Sequence, residues 1–234
     1  MTAGDHERRS ARHAVVTGSS SGIGHAIAAR LLAGGWRVTG IDRAPSALSH
    51  PDFVGLQADL AEPDALVARL ADLGDVTALV HAAGYMRVGR LGELAPETSA
   101  GMWRVHVGAA EALANALAPD MGEGGRIVLI GSRTANGAAG RSQYAATKAA
   151  LTGLARSWAI ELAPRRVTVN VIAPAATDTP FLRDPSRAGT APVLPPMGRF
   201  VGPAEVAALA AFLLSPEAGA ITGQTITICA GASL

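Results

Sequence analysis

The sequence predicts an α/β fold, a largely parallel sheet with helices on both of its faces. Three observations predict it. From Ala14 onward, short β-rich runs alternate with longer helical runs, which is the pattern of βαβ units. The runs Val128-Leu129-Ile130 and Val169–Ile172 are nearly continuous in apolar residues, as strands buried on both faces are. The first β-rich run ends in a Gly/Ser turn that opens a helix.

The elements follow in order. Residues 1–12 form a polar leader, expected to be disordered. His13–Thr17 is a strand, and Gly24–Ala33 a helix with Ile27, Leu31 and Leu32 on one face. Trp36–Ile41 is a second strand, ending at Asp42, and Phe53–Gln57 a third, ending before Asp59. Glu62–Ala71 is helical. Ala78–His81 is a strand that runs into Ala82-Ala83-Gly84. Ala95–Ala118 is one long helix with Val105, Leu113 and Leu117 among its apolar positions. Gly125–Ile130 is a strand, Gln143–Leu162 a long helix, Val167–Ile172 a strand, Pro203–Leu214 a helix and Gln224–Ile228 the last strand. No repeat or low-complexity linker interrupts this order, so residues 13–234 are expected to form one domain. Residues 178–200, with five prolines, are expected to form an irregular loop beside the active site.

Composition narrows the function classes. The formal net charge is +1 and aromatics are 4% of the chain. A nucleic-acid footprint needs a basic patch or stripe, so no nucleic-acid partner is expected. No run approaches the roughly 20 apolar residues of a membrane span, and no apolar segment follows the leader as a signal peptide would require. The single cysteine, Cys229, permits neither an internal disulfide nor a cysteine-based metal site. The expectation is a cytoplasmic protein without a metal, with Cys229 as a small buried hydrophobe rather than a reactive thiol.

Two clusters carry chemistry. The first is Thr17-Gly18-Ser19-Ser20-Ser21-Gly22-Ile23-Gly24, between a strand and a helix. Glycines there allow a tight turn and close approach of backbone to a pyrophosphate, and the helix N-terminus favours an anion. Gly18, Ser21, Gly22, Ile23 and Gly24 are the candidate contacts. Asp42 lies 18 residues after Gly24, where an acidic side chain accepts the adenosine ribose hydroxyls and repels a 2′-phosphate. It therefore favours NAD over NADP. Arg43 beside it is either a solvated charge or a ligand for that phosphate. Asp59-Leu60 is placed to meet the adenine, and Asp59 also suits a helix N-cap.

The second cluster is Tyr144-Ala145-Ala146-Thr147-Lys148 with Ser132 twelve residues earlier. The i,i+4 spacing puts phenol and ammonium on one helix face. A nearby cation favours the ionised phenol, so Tyr144 can exchange a proton with an alcohol oxygen while hydride moves. Ser132 can donate a hydrogen bond to that oxygen.

With these pieces in order, the chain resembles the short-chain dehydrogenase/reductase family over residues 13–234. The matching pieces are Thr17–Gly24, Asp59, His81-Ala82-Ala83-Gly84, Ser132, Tyr144-x3-Lys148, Asn170-Val171-Ile172-Ala173-Pro174 and Ile221-Thr222-Gly223-Gln224. The resemblance implies a Rossmann-type doubly wound sheet of seven parallel strands and a homotetramer or homodimer. It also implies that Lys148 binds the nicotinamide ribose, that Thr179 holds the carboxamide near Thr177 and Pro174, and that Ala82, Ala83 and Gly84 border the cofactor.

Three departures from the family pattern stand out. His81-Ala82-Ala83-Gly84 replaces Asn-Asn-Ala-Gly, and His81 reads as a structural substitute bonding a neighbouring strand. His106 takes the place of the family's catalytic asparagine. That residue acts through its main-chain carbonyl, so the role survives substitution, or the imidazole joins the proton relay directly, or His106 is a packed or interface histidine. Ala175 and Cys229-Ala230-Gly231 replace Gly and Asp-Gly-Gly.

The expected reaction is NAD(H)-dependent interconversion of a secondary alcohol and a ketone. The short loop 178–200 suggests a small or flat substrate. Arg87, Arg133 or Arg141 could pair with a substrate carboxylate. The stretch Ala83–Gly89 is similar to dihydrodiol-type dehydrogenases acting on cyclic hydroxy acids. The alternatives are an NADPH-dependent 3-oxoacyl reductase, supported by Arg43, and a non-catalytic dinucleotide sensor or scaffold.

Overall fold

Nearly continuous apolar residues in the central runs bury both faces of a sheet, and the computed structural model has that architecture. It describes residues 12–70, 73–184 and 192–234. Nearly all of the expected leader, the end of the expected helix at Ala71, and Pro185 lie outside these residues.

The strands are β1 (His13–Thr17), β2 (Arg37–Asp42), β3 (Phe53–Gln57), β4 (Ala78–His81), β5 (Arg126–Ile130), β6 (Thr168–Pro174) and β7 (Thr225–Ile228). They form one seven-stranded sheet in the order β3-β2-β1-β4-β5-β6-β7, and every pairing is parallel. The long helices are α1 (Gly22–Ala33), α2 (Pro63–Leu70), α3 (Pro96–Trp103), α4 (Ala109–Leu117), α5 (Ser142–Leu162) and α6 (Pro203–Leu213).

The core has two layers. Val15, Leu79, Ile127 and Val169 point to one face, where Leu113, Leu151 and Ala155 cover them. Their strand neighbours Val16, Val80, Val128 and Ile172 point to the other, against Ile27, Leu31, Val206 and Leu213 of α1 and α6. Each fully buried aliphatic side chain of this kind contributes roughly 1.5–3 kcal/mol. The edge strands β3 and β7 are only partly buried, which is why their hydrophobic signal is weaker.

Chain order reverses between β1 and β4. Ligands in such sheets bind in the crevice at the carboxyl ends of these strands.

Three details differ from expectation. Arg12, assigned to the leader, already belongs to the folded unit: its carbonyl accepts Arg37 N–H at 2.9 Å, and its guanidinium stacks 4.5 Å from the Trp36 ring centre. Ala95–Ala118 is not one regular helix. A π-turn at Arg104–Gly108 separates α3 from α4, with Ala109 N–H bonded back to Arg104 O. An i→i+5 turn inserts one residue and leaves no trace in 3.6-residue periodicity. Cys229, expected to be buried, is partly exposed, and neighbouring Ala230 sits at φ 48°. That left-handed conformation costs an L-residue roughly 1–2 kcal/mol.

Among the described residues, no helix is long and apolar enough to cross a membrane.

Candidate active site

The glycine-rich turn is shaped by backbone contacts that a side chain would block. Gly18 lies at φ 69°, and a Cβ there would stand 2.9 Å from Ala83 N. A Cβ on Gly24 would stand 2.2 Å from Gly18 O, so the start of α1 packs directly on the turn. Ser21, the N-cap of α1, makes no side-chain cap bond. The first-turn N–H groups therefore remain available to an anion.

Thr17 pins this turn to the end of β4. Its Oγ1 accepts Ala82 N–H at 3.0 Å and Ala83 N–H at 3.1 Å and donates to His81 Nδ1 at 3.0 Å. His81 Nε2–H in turn donates to Val105 O at 3.1 Å. His81 thus bonds the neighbouring strand β1 and also holds the π-turn. Burial first, then the Lys148 charge, lowers its pKa to about 3, and the ring is neutral.

Asp42 ends β2 with both carboxylate oxygens engaged, Oδ2 by Ser20 N–H and Oδ1 by Ala44 N–H, each at 3.0 Å. Asp59 Oδ1 accepts Ala61 N–H at 2.9 Å, an Asx turn ahead of α2 (Pro63–Leu70) rather than the N-cap expected of it, and the residue borders the cleft.

At the other end, α5 carries Tyr144 and Lys148 on its buried face. Lys148 Nζ donates to Ile130 O at 2.8 Å, and burial lowers its pKa to about 7. Ser132 follows β5, and its Oγ accepts Thr134 N–H at 3.1 Å at the start of the 3-10 turn Arg133–Asn136. Thr179 donates to Thr177 O at 3.3 Å and lies against Gly22, 3.4 Å from where a Cβ would stand.

One cleft of about 700 Å³ joins these ends. Every residue assigned above to the cofactor or to the chemistry lines it, except His106. The acids on its wall are Asp42 and Asp59 at the turn end, whereas the charges near Tyr144 are Arg133, Arg141 and Lys148. Arg87 does not line the cleft and lies 5.1 Å over the Tyr85 ring. Among the described residues no three His, Cys, Asp or Glu side chains gather to hold a metal ion.

His106 is fully buried behind the wall. Its Nε2 accepts Tyr85 N–H at 3.0 Å, and its Nδ1 bonds Thr147 Oγ1 at 2.8 Å.

The sequence reading missed Thr147, whose single polar atom looks like one small residue inside a helical motif. It also missed the apolar wall made by Met86, Phe181, Val193 and Leu194. Those residues come from separate loops and share no period.

The cleft fits a dinucleotide: a side-chain-free turn at one end, a carboxylate at the strand end beside it, and a Tyr/Lys pair opposite. The comparisons agree. A family model described as enoyl-(acyl carrier protein) reductase matches residues 18–233. The 3-oxoacyl-[acyl-carrier-protein] reductase FabG of Salmonella typhimurium is 36% identical, over 93% of this chain and 96% of that one. A Burkholderia cenocepacia short-chain dehydrogenase solved in complex with NADP is 36% identical, with a TM-score of 0.84 over 95% of this chain and 98% of that one. The aldohexose dehydrogenase of Thermoplasma acidophilum is 28% identical, with a TM-score of 0.87 over 95% and 94%. The chain belongs to the short-chain dehydrogenase/reductase family and is a dinucleotide-dependent oxidoreductase.

Proposed function

We propose that the protein interconverts a secondary alcohol and a ketone with NAD(H), using Tyr144 as the general acid/base. The observation that carries this reading is that Ser132, Tyr144 and Lys148 line the same cleft as the turn Gly18–Gly24 and Asp42. The turn would hold the pyrophosphate, Asp42 the adenosine ribose, Lys148 the nicotinamide ribose, and Thr179 the carboxamide. When bound, the nicotinamide supplies or takes up the hydride at the carbinol carbon.

The protein's own groups do the rest. Ser132 Oγ–H donates to the carbonyl oxygen and orients it. In reduction, the Tyr144 phenol gives its proton to that oxygen as charge develops there. In oxidation, the phenolate takes the alcohol proton. The Lys148 ammonium favours the phenolate. Burial lowers the pKa of Lys148 to about 7, near the working range of an acid/base catalyst.

A second reading has its own support. Arg43 lines the cleft beside Asp42, FabG is a 3-oxoacyl reductase, and the Burkholderia relative was solved with NADP. On that reading the protein is an NADPH-dependent 3-oxoacyl reductase. Asp42 favours NAD, because its carboxylate would face a 2′-phosphate. The positive charge around Tyr144 also suits a carboxylated substrate, and the apolar wall of Met86, Phe181, Val193 and Leu194 a flat or cyclic one. A cytoplasmic homotetramer or homodimer completes the reading, with exposed Trp103 and Ile160 available to subunit contacts.

The test is a screen of cyclohexanone, ethyl acetoacetate and cyclic keto acids with NADH and NADPH. The proposal expects turnover with NADH at a kcat/KM at least tenfold above NADPH. Turnover with NADPH alone would select the second reading, and no turnover with either would refute both.

A further inference from the structure

His106 does not reach the cleft, yet it touches both of the cleft's working walls. Its hydrogen bonds define its state. Thr147 Oγ1–H donates to Tyr144 O at 2.9 Å, so Thr147 Oγ1 must accept from His106 Nδ1–H. The other nitrogen, Nε2, carries the lone pair that accepts Tyr85 N–H. The ring is therefore neutral, with its proton on Nδ1 and both nitrogens committed. A proton added at Nε2 would point at the Tyr85 N–H, which bars the ring from shuttling protons in this arrangement.

The ring is also held by its neighbours. It meets Tyr85 edge-on at 5.8 Å and Tyr144 edge-on at 5.7 Å between ring centres. Gly84 leaves the room: a Cβ there would lie 3.0 Å from His106 Nε2 and 3.4 Å from Lys148 Nζ. Tyr85 in turn fits only because residue 101 is glycine, its hydroxyl standing 2.5 Å from where a Cβ would be. The π-turn Arg104–Gly108 aims His106 into this gap, and His81 holds the turn through Val105 O.

We propose that His106 is a positioning residue whose two nitrogens serve two steps: Nε2 fixes the Tyr85–Met86 wall that receives the substrate, and Nδ1–H, through Thr147, fixes the first two turns of α5, which carry Tyr144 and Lys148. The kinetic part rests on the proposed role of Tyr144; the structural part does not. Small displacements at a reacting centre are costly, since about 1 Å of misplacement can lower rate on the order of 100-fold.

Two substitutions separate the nitrogens, because Asn places its amide near Nδ1 of histidine and Gln places its amide near Nε2. His106→Asn keeps the Thr147 bond and loses the Tyr85 bond. It should raise KM for the ketone found by the screen at least fivefold, with kcat within twofold. His106→Gln should do the reverse. Thr147→Val should reproduce His106→Gln, and Thr147→Ser should restore kcat. All rates are taken per NADH-binding site, so a loss of folded protein does not enter. Equal effects of Asn and Gln on both constants, or a lowered Tm with both constants at the wild-type value, would overturn the proposal. Independently of turnover, long-range 15N–1H spectra at pH 7 should show His106 as a neutral Nδ1–H imidazole, and an imidazolium or Nε2–H form would overturn it. If no ketone is reduced, the proposed function fails, and the spectra with NADH titration still decide the positioning role.

Discussion

Acid stability tests the account of His81 in detail. In the unfolded chain its imidazole titrates near 6.5. In the folded protein, burial and the Lys148 charge lower that to about 3. Between these values the unfolded state binds more protons, so the stability due to a neutral His81 is present above pH 6.5 and is lost as pH falls toward 3. From pH 7 to pH 5 the loss comes to roughly 2 kcal/mol for this one group. His81→Asn removes the titration and keeps an acceptor near Thr17 Oγ1; the bond to Val105 O that it loses lowers stability at both pH values and drops out of the difference. The assay is urea unfolding of both proteins at pH 7 and pH 5, at fixed ionic strength and protein concentration. With an m-value of about 2–3 kcal/mol per molar, the wild-type midpoint should fall by roughly 0.7–1 M more than the variant's. His13 titrates in both proteins and cancels, and burial, the largest cause of the lowered His106 pKa, is common to both. Equal acid shifts in the two would refute the assignment of a buried neutral imidazole at this position.

Three further outcomes follow from the same structure. Lys148, lowered by burial to about 7, carries a buried charge below that pH, so its cost to stability is relieved as pH rises toward 10.5. Wild type should gain roughly 2 kcal/mol between pH 7 and 9, and Lys148→Met should flatten that rise in thermal unfolding scans. Asp42→Ala should cut the NADH-over-NADPH preference in kcat/KM at least tenfold, and an unchanged ratio removes Asp42 from cofactor selection. Gly24→Ala puts a Cβ 2.2 Å from Gly18 O. It should cost about 1–3 kcal/mol of stability and abolish NADH binding by fluorescence titration.

What was legible in the sequence was local. The turn Thr17–Gly24 and the pair Tyr144 and Lys148 are spaced by the helix itself, so chain distance already fixes their geometry. The strands β5 and β6 read clearly because both their faces are buried. What was not legible depends on partners far apart in the chain. The π-turn at Arg104–Gly108 changes hydrogen bonding without changing composition. The bond from His81 to Val105 O spans 24 residues, and that from His106 to Thr147 spans 41. No periodicity links those positions. The choice for His106 between main chain and relay stayed open in the sequence, because it turns on which atom each ring nitrogen faces.

The central claim is that Tyr144 moves the proton while hydride moves at carbon. Tyr144→Phe keeps the ring that packs against His106 and removes only the phenolic oxygen. The decisive measurement is single-turnover oxidation of NADH by this variant with the best ketone of the screen, alongside its NADH dissociation constant. The account predicts an unchanged dissociation constant and a rate at least 1,000-fold below wild type, about 4 kcal/mol of barrier. A rate within tenfold of wild type, with NADH bound as before, would contradict it.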